Sequence, residues 1–318
     1  MAMFDLPLDR LRDYRPALTE PDDFDAFWLR TLTAARQHDL AAELTPYDAL
    51  LPGVAVSDVR FGGYDGQRVA AWLLRPAGTD GPLPCVVQFI GYGGGRGRPH
   101  EWLLWPAAGY AVLVVDSRGQ GDGDTPDLAG DDTPQHTGLL TRGVLDPEKY
   151  YYRRLFTDAV RAVDLAATLP GVDPARIVVA GASQGGGIAQ AVAGLHHQVR
   201  GALIDVPFLT HFRHATEITD SYPYHELSVF CATNRDRTDQ VFRTLGYFDG
   251  VHFAARATAP ALYSVGLMDD VCPPSTVYAA FNHYAGPKQI QIWPYNRHEG
   301  GGSYQAPIQL PWLRHLLT

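Results

Sequence analysis

Short apolar runs recur along the chain, with helix-like stretches between them. Each run has the length and the Val, Ile and Leu content of a strand buried on both faces of a sheet. Strands that alternate with helices predict a mostly parallel sheet with helices on both sides, an α/β fold. The predicted strands are residues 69–74, 85–90, 111–115, 177–180, 202–206, 261–265 and 289–293.

Apolar residues at helical spacing predict a helix over residues 155–169. A second amphipathic helix is predicted over residues 24–36, where the acidic residues Asp22 and Asp23 are expected to cap its start. An alanine-rich stretch without proline predicts a third helix over residues 185–195.

Three segments do not fit a minimal alternating pattern. Residues 1–50 are expected to form an N-terminal extension outside the repeating pattern of the sheet. Residues 121–150 are polar and too long for an ordinary connection, so an inserted functional loop is expected there. Residues 207–258, rich in His, Tyr and Phe, are expected to form a helical insertion near the active site. No repeat or low-complexity linker divides the chain, so we predict one domain over residues 1–318.

Composition and charge restrict the possible functions. Hydrophobic residues make up 46% of the 318 residues, which describes a globular protein with a large core. The net charge of -9 argues against nucleic-acid and anionic-membrane partners. No apolar run approaches the roughly 20 residues that span a bilayer, and no signal peptide is visible. The three cysteines lack metal-binding spacing and suit a reducing compartment, so we expect a soluble, cytoplasmic protein without a metal.

The segment Gly181-Ala182-Ser183-Gln184-Gly185 stands between a predicted strand and a predicted helix. A G-x-S-x-G pattern in this context is typical of the nucleophile elbow of α/β-hydrolases. The elbow holds its serine in strained backbone geometry, and any side chain larger than glycine on either side would clash. Ser183 is therefore the predicted nucleophile, whereas an ordinary Gly/Ser turn is the competing interpretation.

A serine nucleophile needs a base, and the base needs an acid that orients it. In α/β-hydrolases both follow the serine, on loops after later strands. Asp269 comes soon after the predicted strand 261–265 and is the predicted acid; Asp205, which ends the strand after the elbow, is the alternative. Among twelve histidines, His298 is the predicted base, because it follows the last strand and precedes glycines that let a loop fold closely over other backbone.

Acyl transfer also requires two N–H donors that stabilise an oxyanion. The amide of Gln184, which follows the nucleophile, is the first predicted donor. The second is expected from the glycine-rich loop 91–95, which follows a predicted strand. A phosphate-binding loop is the alternative interpretation of this segment, but it lacks the G-K-S/T and G-x-G-x-x-G patterns.

These motifs and their flanks resemble the acetyl xylan esterase and cephalosporin C deacetylase family, carbohydrate esterase family seven, over nearly the whole chain. The similarity is specific because R-G-Q and H-E in this order are rarer than G-x-S-x-G. The matching segments are Arg118-Gly119-Gln120, Gly181 to Gly185, His298-Glu299, Gly266 to Asp269, Cys272 to Thr276 and Tyr284 to Lys288.

The resemblance implies a cytoplasmic esterase that needs no cofactor and deacetylates small acetyl esters, including short acetylated xylo-oligosaccharides and cephalosporin C. It implies Ser183 as nucleophile, Asp269 as orienting acid and His298 as base, with the Tyr92 and Gln184 amides as oxyanion hole. It also implies a ring-like hexamer, with residues 121–150 as its interface extension.

Two further sets of residues complete these expectations. Arg118 and Gln120 are expected to be structural and to brace loops near the elbow. Four side chains are candidate walls of a small acyl pocket that would favour acetate: Tyr92, Trp105, Pro207 and Phe208.

Other functional classes remain open at this stage. A broad-specificity carboxylesterase or a prolyl-oligopeptidase-like peptidase shares the fold and the order of the triad. A non-catalytic binding protein on a hydrolase fold usually lacks a triad member, and none is missing here.

Overall fold

The computed structural model describes residues 3–128 and 138–318, in which a nine-stranded sheet carries the fold. Neighbouring strands follow the order β1-β2-β3-β5-β4-β6-β7-β8-β9. Pairs from β5 through β9 are parallel, and β1, β2 and β3 join antiparallel at one edge. The strands are β1 (Glu43–Tyr47), β2 (Val54–Gly62), β3 (Arg68–Pro76), β4 (Leu83–Phe89), β5 (Ala111–Val115), β6 (Val172–Ala182), β7 (Gly201–Asp205), β8 (Ala261–Gly266) and β9 (Lys288–Trp293).

The predicted mostly parallel sheet is confirmed, and each of the seven predicted strands lies within or overlaps an observed one. Strands β1 and β2 were not predicted from the sequence. All residues of β1 are exposed, and β2 mixes buried and accessible positions, so neither shows a continuous apolar run. The N-terminal extension predicted over residues 1–50 therefore includes β1, which pairs antiparallel with β2 and forms the edge of the sheet.

Helices cover both faces of the sheet, and none in the described ranges is long and apolar enough to cross a membrane. The predicted helix 24–36 is observed as α2, although the Asp23 side chain makes no capping hydrogen bond there. The helices are α1 (Leu8–Asp13), α2 (Phe24–Ala35), α3 (Leu104–Ala107), α4 (Tyr151–Ala166), α5 (Gln184–Leu195), α6 (Phe212–Ile218), α7 (His225–Thr233), α8 (Thr238–Gly246), α9 (Gly250–Ala254), α10 (Pro274–His283) and α11 (Ala306–Leu317).

Alternation of side chains along the strands creates two separate cores. In β4, Val87 joins the cluster that α4 and α5 cover, whereas Val86 joins the cluster that α3 and α11 cover. We call these sides of the sheet the α4/α5 face and the α3/α11 face. The same alternation in β6 and β7 decides on which face of the sheet each residue at a strand end lies.

The two long segments differ in structure. Residues 207–258 contain the helices α6 to α9. Residues 121–128 and 138–150 contain no helix or strand, and residues 129–137 of the expected interface loop lie outside the described part of the chain. Within residues 121–128, Asp127 accepts two hydrogen bonds from the Arg154 guanidinium, at 2.8 and 2.7 Å, which fastens this segment to α4.

Candidate active site

Ser183 lies at the turn between β6 and α5, where the sequence placed it. Its backbone has φ 57° and ψ -122°, a conformation that few non-glycine residues adopt. Hydrogen bonds hold the residue there: its N–H donates to Asp205 O at 3.0 Å, and its carbonyl accepts the N–H groups of Gly187 and Phe208, each at 3.0 Å. The turn is therefore strained but supported by neighbouring backbone.

Close backbone packing explains the glycines of the elbow. A Cβ atom on Gly181 would lie 2.2 Å from Gly185 C, and one on Gly185 would lie 2.4 Å from Phe89 O. Both distances are far below van der Waals contact, and the atoms met belong to backbone that cannot move aside cheaply. The motif is thus a packing requirement of the turn.

Ser183, His298 and Asp269 form one continuous hydrogen-bonded chain. His298 Nε2 lies 2.8 Å from Ser183 Oγ, and His298 Nδ1 lies 2.8 Å from Asp269 Oδ2. An ionised carboxylate can only accept hydrogen bonds, so Nδ1 donates to Asp269 and Nε2 is left to accept the serine proton. This is the arrangement that activates a serine nucleophile.

Asp269 is fully buried and rigidly oriented. Its Oδ1 accepts the N–H groups of Val271 and Cys272, both at 2.9 Å, which leaves Oδ2 for His298. The neighbouring Asp270 faces elsewhere and accepts a hydrogen bond from Ser221 Oγ at 3.5 Å. Of this adjacent pair, Asp269 is the acid that is hydrogen-bonded to His298.

Asp205, the alternative acid, does not contact His298. Its oxygens accept hydrogen bonds from Gln305 Nε2 at 2.9 Å and Gln309 Nε2 at 2.6 Å. Burial raises the pKa of Asp205 to about 6, while the hydrogen bonds from Gln309 and Gln305 act in the opposite direction. This side chain lies on the α3/α11 face, because it follows Leu203 by two residues in β7.

The loop that carries His298 is shaped by its neighbours. Glu299 accepts the side-chain N–H of Asn296 at 2.6 Å and the backbone N–H of Arg297 at 3.0 Å. The hydrogen bond from Asn296 holds the pKa of Glu299 below its ordinary value. Gly301 has φ 88°, and a Cβ there would lie 2.2 Å from the Trp293 ring. The glycines after the histidine thus permit the close turn that the sequence predicted.

The two segments expected to supply oxyanion donors lie side by side. Phe89 of β4 pairs with Gly181 of β6, so the loop 91–95 leaves the sheet next to the elbow. Gln184 is the first residue of α5, and the first N–H groups of a helix have no partner within the helix. Tyr92 lies in the neighbouring loop. The fold therefore brings both predicted donors to one edge of the sheet.

Arg118 and Gln120 have different roles. Arg118 is fully buried and forms a two-point ion pair with Asp158, at 2.6 and 2.9 Å. Gln120 lies between the two oxyanion segments, where its Oε1 accepts the Gly93 N–H at 2.7 Å and its Nε2 donates to Gln184 Oε1 at 3.0 Å. Arg118 thus anchors its turn, whereas Gln120 touches the candidate oxyanion loops directly.

Of the four candidate pocket walls, Phe208 lies beside Ser183, whose carbonyl accepts the Phe208 N–H at 3.0 Å. Pro207 and Phe208 follow β7, and the Phe208 ring packs edge-on against Tyr92 with centroids 6.0 Å apart. Trp105 lies instead on the α3/α11 face, where its Nε1 donates to Gln88 Oε1 at 3.1 Å. The expectation that Trp105 lines the acyl pocket is therefore wrong, because the sheet separates it from Tyr92 and Phe208.

Glu226 of α7 is a residue of this region that was not predicted from the sequence. Its buried carboxylate accepts hydrogen bonds from Tyr92 Oη at 2.7 Å and from Leu140 N at 3.0 Å, while Tyr92 Oη accepts one from Leu139 N. Burial raises the pKa of both Glu226 and Tyr92. Glu226 thereby joins α7 and residues 139–140 to the candidate oxyanion loop. A lone glutamate in a helix carries no sequence signal of such a contact.

Known proteins resemble this chain over its length. A model of the acetyl xylan esterase family matches residues 1–316. The acetyl esterase Axe7A of Xylanibacter ruminicola is 28% identical over 310 residues, which cover 94% of this chain and 68% of that protein.

Two solved structures share the fold closely. The acetyl xylan esterase from Paenibacillus sp. R4 is 40% identical with a TM-score of 0.94, and the match covers 98% of this chain and 99% of that one. Acetyl xylan esterase 1 from Thermoanaerobacterium sp. JW/SL YS485 is 32% identical with a TM-score of 0.93, over 99% and 100% of the two chains. The chain therefore belongs to the acetyl xylan esterase family and is a carboxylic ester hydrolase with an α/β-hydrolase fold.

Proposed function

We propose that Ser183, His298 and Asp269 are the catalytic triad with which this esterase removes acetyl groups from small acetylated substrates. The observation that carries the proposal is the unbroken hydrogen-bonded chain from Ser183 Oγ through His298 to Asp269. The family to which the chain belongs supports the same reaction.

In the proposed reaction, His298 Nε2 takes the Ser183 hydroxyl proton while Oγ attacks the acetyl carbonyl carbon. The Tyr92 and Gln184 amides stabilise the oxyanion of the tetrahedral intermediate. The intermediate collapses as His298 returns the proton to the departing alcohol, which leaves an acetyl group on Ser183. Water, deprotonated by the same histidine, then releases acetate and restores the serine.

Hydrolysis of 4-nitrophenyl acetate by Ser183→Ala tests the assignment. Triad residues act as a unit, so we expect kcat to fall by about four to six orders of magnitude. Ser57→Ala in β2 is the matched control and should keep the wild-type rate, because Ser57 lies near the far edge of the sheet. A Ser183→Ala rate near that of the wild type would exclude the triad.

Acetylated xylo-oligosaccharides and cephalosporin C are the proposed substrates, on the basis of the resemblance. Packing of Phe208 against Tyr92 supports a small acyl pocket that favours acetate over butyrate. Acetate release from acetylated xylobiose, cephalosporin C and acetylated glucose, beside a series of longer aryl esters and a peptide panel, tests this. Equal rates for all acyl lengths would indicate a broad-specificity carboxylesterase, and peptide cleavage a peptidase.

The assembly and the location are proposed from the same resemblance and from composition. A homohexamer, with residues 121–150 at the interface, should show a mass six times that of the 34.9 kDa chain by light scattering. Cys85, Cys231 and Cys272 are free thiols, which suits the cytoplasm. A monomeric mass, or recovery of the protein outside the cytoplasmic fraction, would contradict these proposals.

A further inference from the structure

A cavity of about 240 Å³ lies on the α3/α11 face of the sheet, behind the elbow that carries Ser183. None of the three triad residues lines it. Its floor is the elbow strand, at Ala180, Gly181 and Ala182, and its walls come from β4, β7, α11 and the segment before and within α3. Those wall residues are Gln88, Glu101, Trp102, Leu104, Trp105, Asp205 and Gln309.

The alternation of side chains explains why a polar cavity forms in this place. On the α3/α11 face, β4 presents Val86 and then Gln88, and β7 presents Leu203 and then Asp205. The apolar face thus becomes polar at the carboxyl ends of the parallel strands, where α/β folds bind their ligands. Ala182 in the strand between them is small, so the space above it stays open.

The two tryptophans supply apolar surface. Trp105 Nε1 donates to Gln88 Oε1 at 3.1 Å, and Trp102 Nε1 donates to the Arg96 carbonyl at 2.9 Å. Both indole N–H groups are therefore satisfied within the protein, and the rings offer carbon atoms to the cavity. Aromatic walls with a few fixed polar groups are typical of small-molecule sites.

The polar groups favour a neutral ligand rich in hydroxyl groups. Among the residues that the structure describes, the cavity lining includes no Lys, Arg or His, so the charged groups that an anion would meet are the carboxylates of Glu101 and Asp205. Both carboxylates already accept hydrogen bonds within the protein. Asp205 accepts them from Gln305 and Gln309, and Glu101 accepts one from the Arg98 N–H at 2.8 Å. These bonds weaken the attraction of the carboxylates for a cation. Each carboxylate still has lone pairs free to accept ligand hydroxyls.

We propose that this cavity is a second binding site, separate from the catalytic serine, for one neutral sugar ring such as a pyranose. The apolar face of the ring would pack on the tryptophans while its hydroxyl groups bond to Asp205, Gln309 and Gln88. The volume equals that of about eight liquid waters, which suits a single sugar ring. The site lies beyond the proposed hydrolysis, since sugar binding here needs no reaction at Ser183.

Calorimetric titration of the full-length protein with D-xylose tests the proposal. We expect saturable binding with half-saturation at about 1 to 10 mM, because a ligand with few atoms gains little binding free energy. Leu104→Trp should weaken it at least about tenfold, because Leu104 is partly exposed and a larger side chain there fills the cavity. Leu50→Trp is the matched control: Leu50 is exposed and does not line the cavity, so the affinity should not change.

Glu101→Gln separates a sugar from a cationic ligand. Sugar binding should change less than about threefold, because the amide keeps an oxygen acceptor, whereas binding of tetramethylammonium would depend on the charge. All variants should hydrolyse 4-nitrophenyl acetate at the wild-type rate. Xylose affinity that survives in Leu104→Trp, no xylose binding to the wild type, or preference for tetramethylammonium or acetate would each overturn the proposal.

Discussion

Gln120 and Gln184 join the two loops at the candidate oxyanion hole through a side-chain hydrogen bond of 3.0 Å between Nε2 and Oε1. Gln120 also accepts the Gly93 N–H, and Gln184 donates to the Ile90 carbonyl at 3.2 Å. Both side chains are buried, so water cannot replace these bonds. The pair therefore sets the distance between the loop 91–95 and the elbow.

Gln120→Leu should lower kcat/KM for 4-nitrophenyl acetate by about ten- to a hundredfold, because small displacements of oxyanion donors cost rate. Gln190→Leu is the matched control: Gln190 is also a buried glutamine, but it bonds to Tyr263 and Thr210. The control should lose stability and keep its kcat/KM. Similar kinetic losses in both variants would show that Gln120 acts only through general stability.

Gly185→Ala should abolish most activity and lower the melting temperature. The added Cβ would lie 2.4 Å from Phe89 O, so either the elbow or β4 must move. Gly53→Ala, where no atom lies within 4 Å of the added Cβ, is the control and should behave as the wild type. Steady-state kinetics and thermal unfolding measure both effects; an active Gly185→Ala of unchanged stability would contradict the packing argument.

Arg118→Met should cost about 3 to 5 kcal/mol of unfolding free energy, because it leaves the buried carboxylates of Asp158 and Asp127 without that partner. Arg30→Met removes the same kind of side chain from an exposed pair with Glu148, whose side chains are 59% and 50% exposed. That change should cost less than about 1 kcal/mol. Urea titrations measure the difference, and equal costs would argue against a structural role for Arg118.

Asp205→Asn should become more stable relative to the wild type as pH rises. Since burial raises the pKa of Asp205 to about 6 from 3.8, the folded protein keeps a proton that the unfolded chain has lost. The wild type therefore loses unfolding free energy as pH rises. This loss is absent below about pH 4, complete above about pH 6 and about 3 kcal/mol in size. Unfolding free energies of both proteins should therefore diverge between about pH 4 and pH 7; parallel curves would contradict the raised pKa.

The fold was predictable to the extent that strands are buried on both faces. Strands such as β5, with every residue buried, appear in the sequence as uninterrupted apolar runs. The edge strand β1 exposes every side chain and contains Pro46, and the adjacent β2 mixes buried and accessible positions, so neither strand forms an uninterrupted apolar run. Their place in the sheet depends on pairing with β3, which is a tertiary contact.

The sequence by itself determined the order and spacing of Ser183, Asp269 and His298, because each follows a strand and the fold brings strand ends to one edge. Tertiary structure alone decided that Asp269 and not Asp205 reaches the histidine, that Trp105 faces a different cavity, and that Glu226 supports Tyr92. The physical reason is that the face on which a side chain emerges, and its distant neighbours, depend on register and packing between segments far apart in the chain.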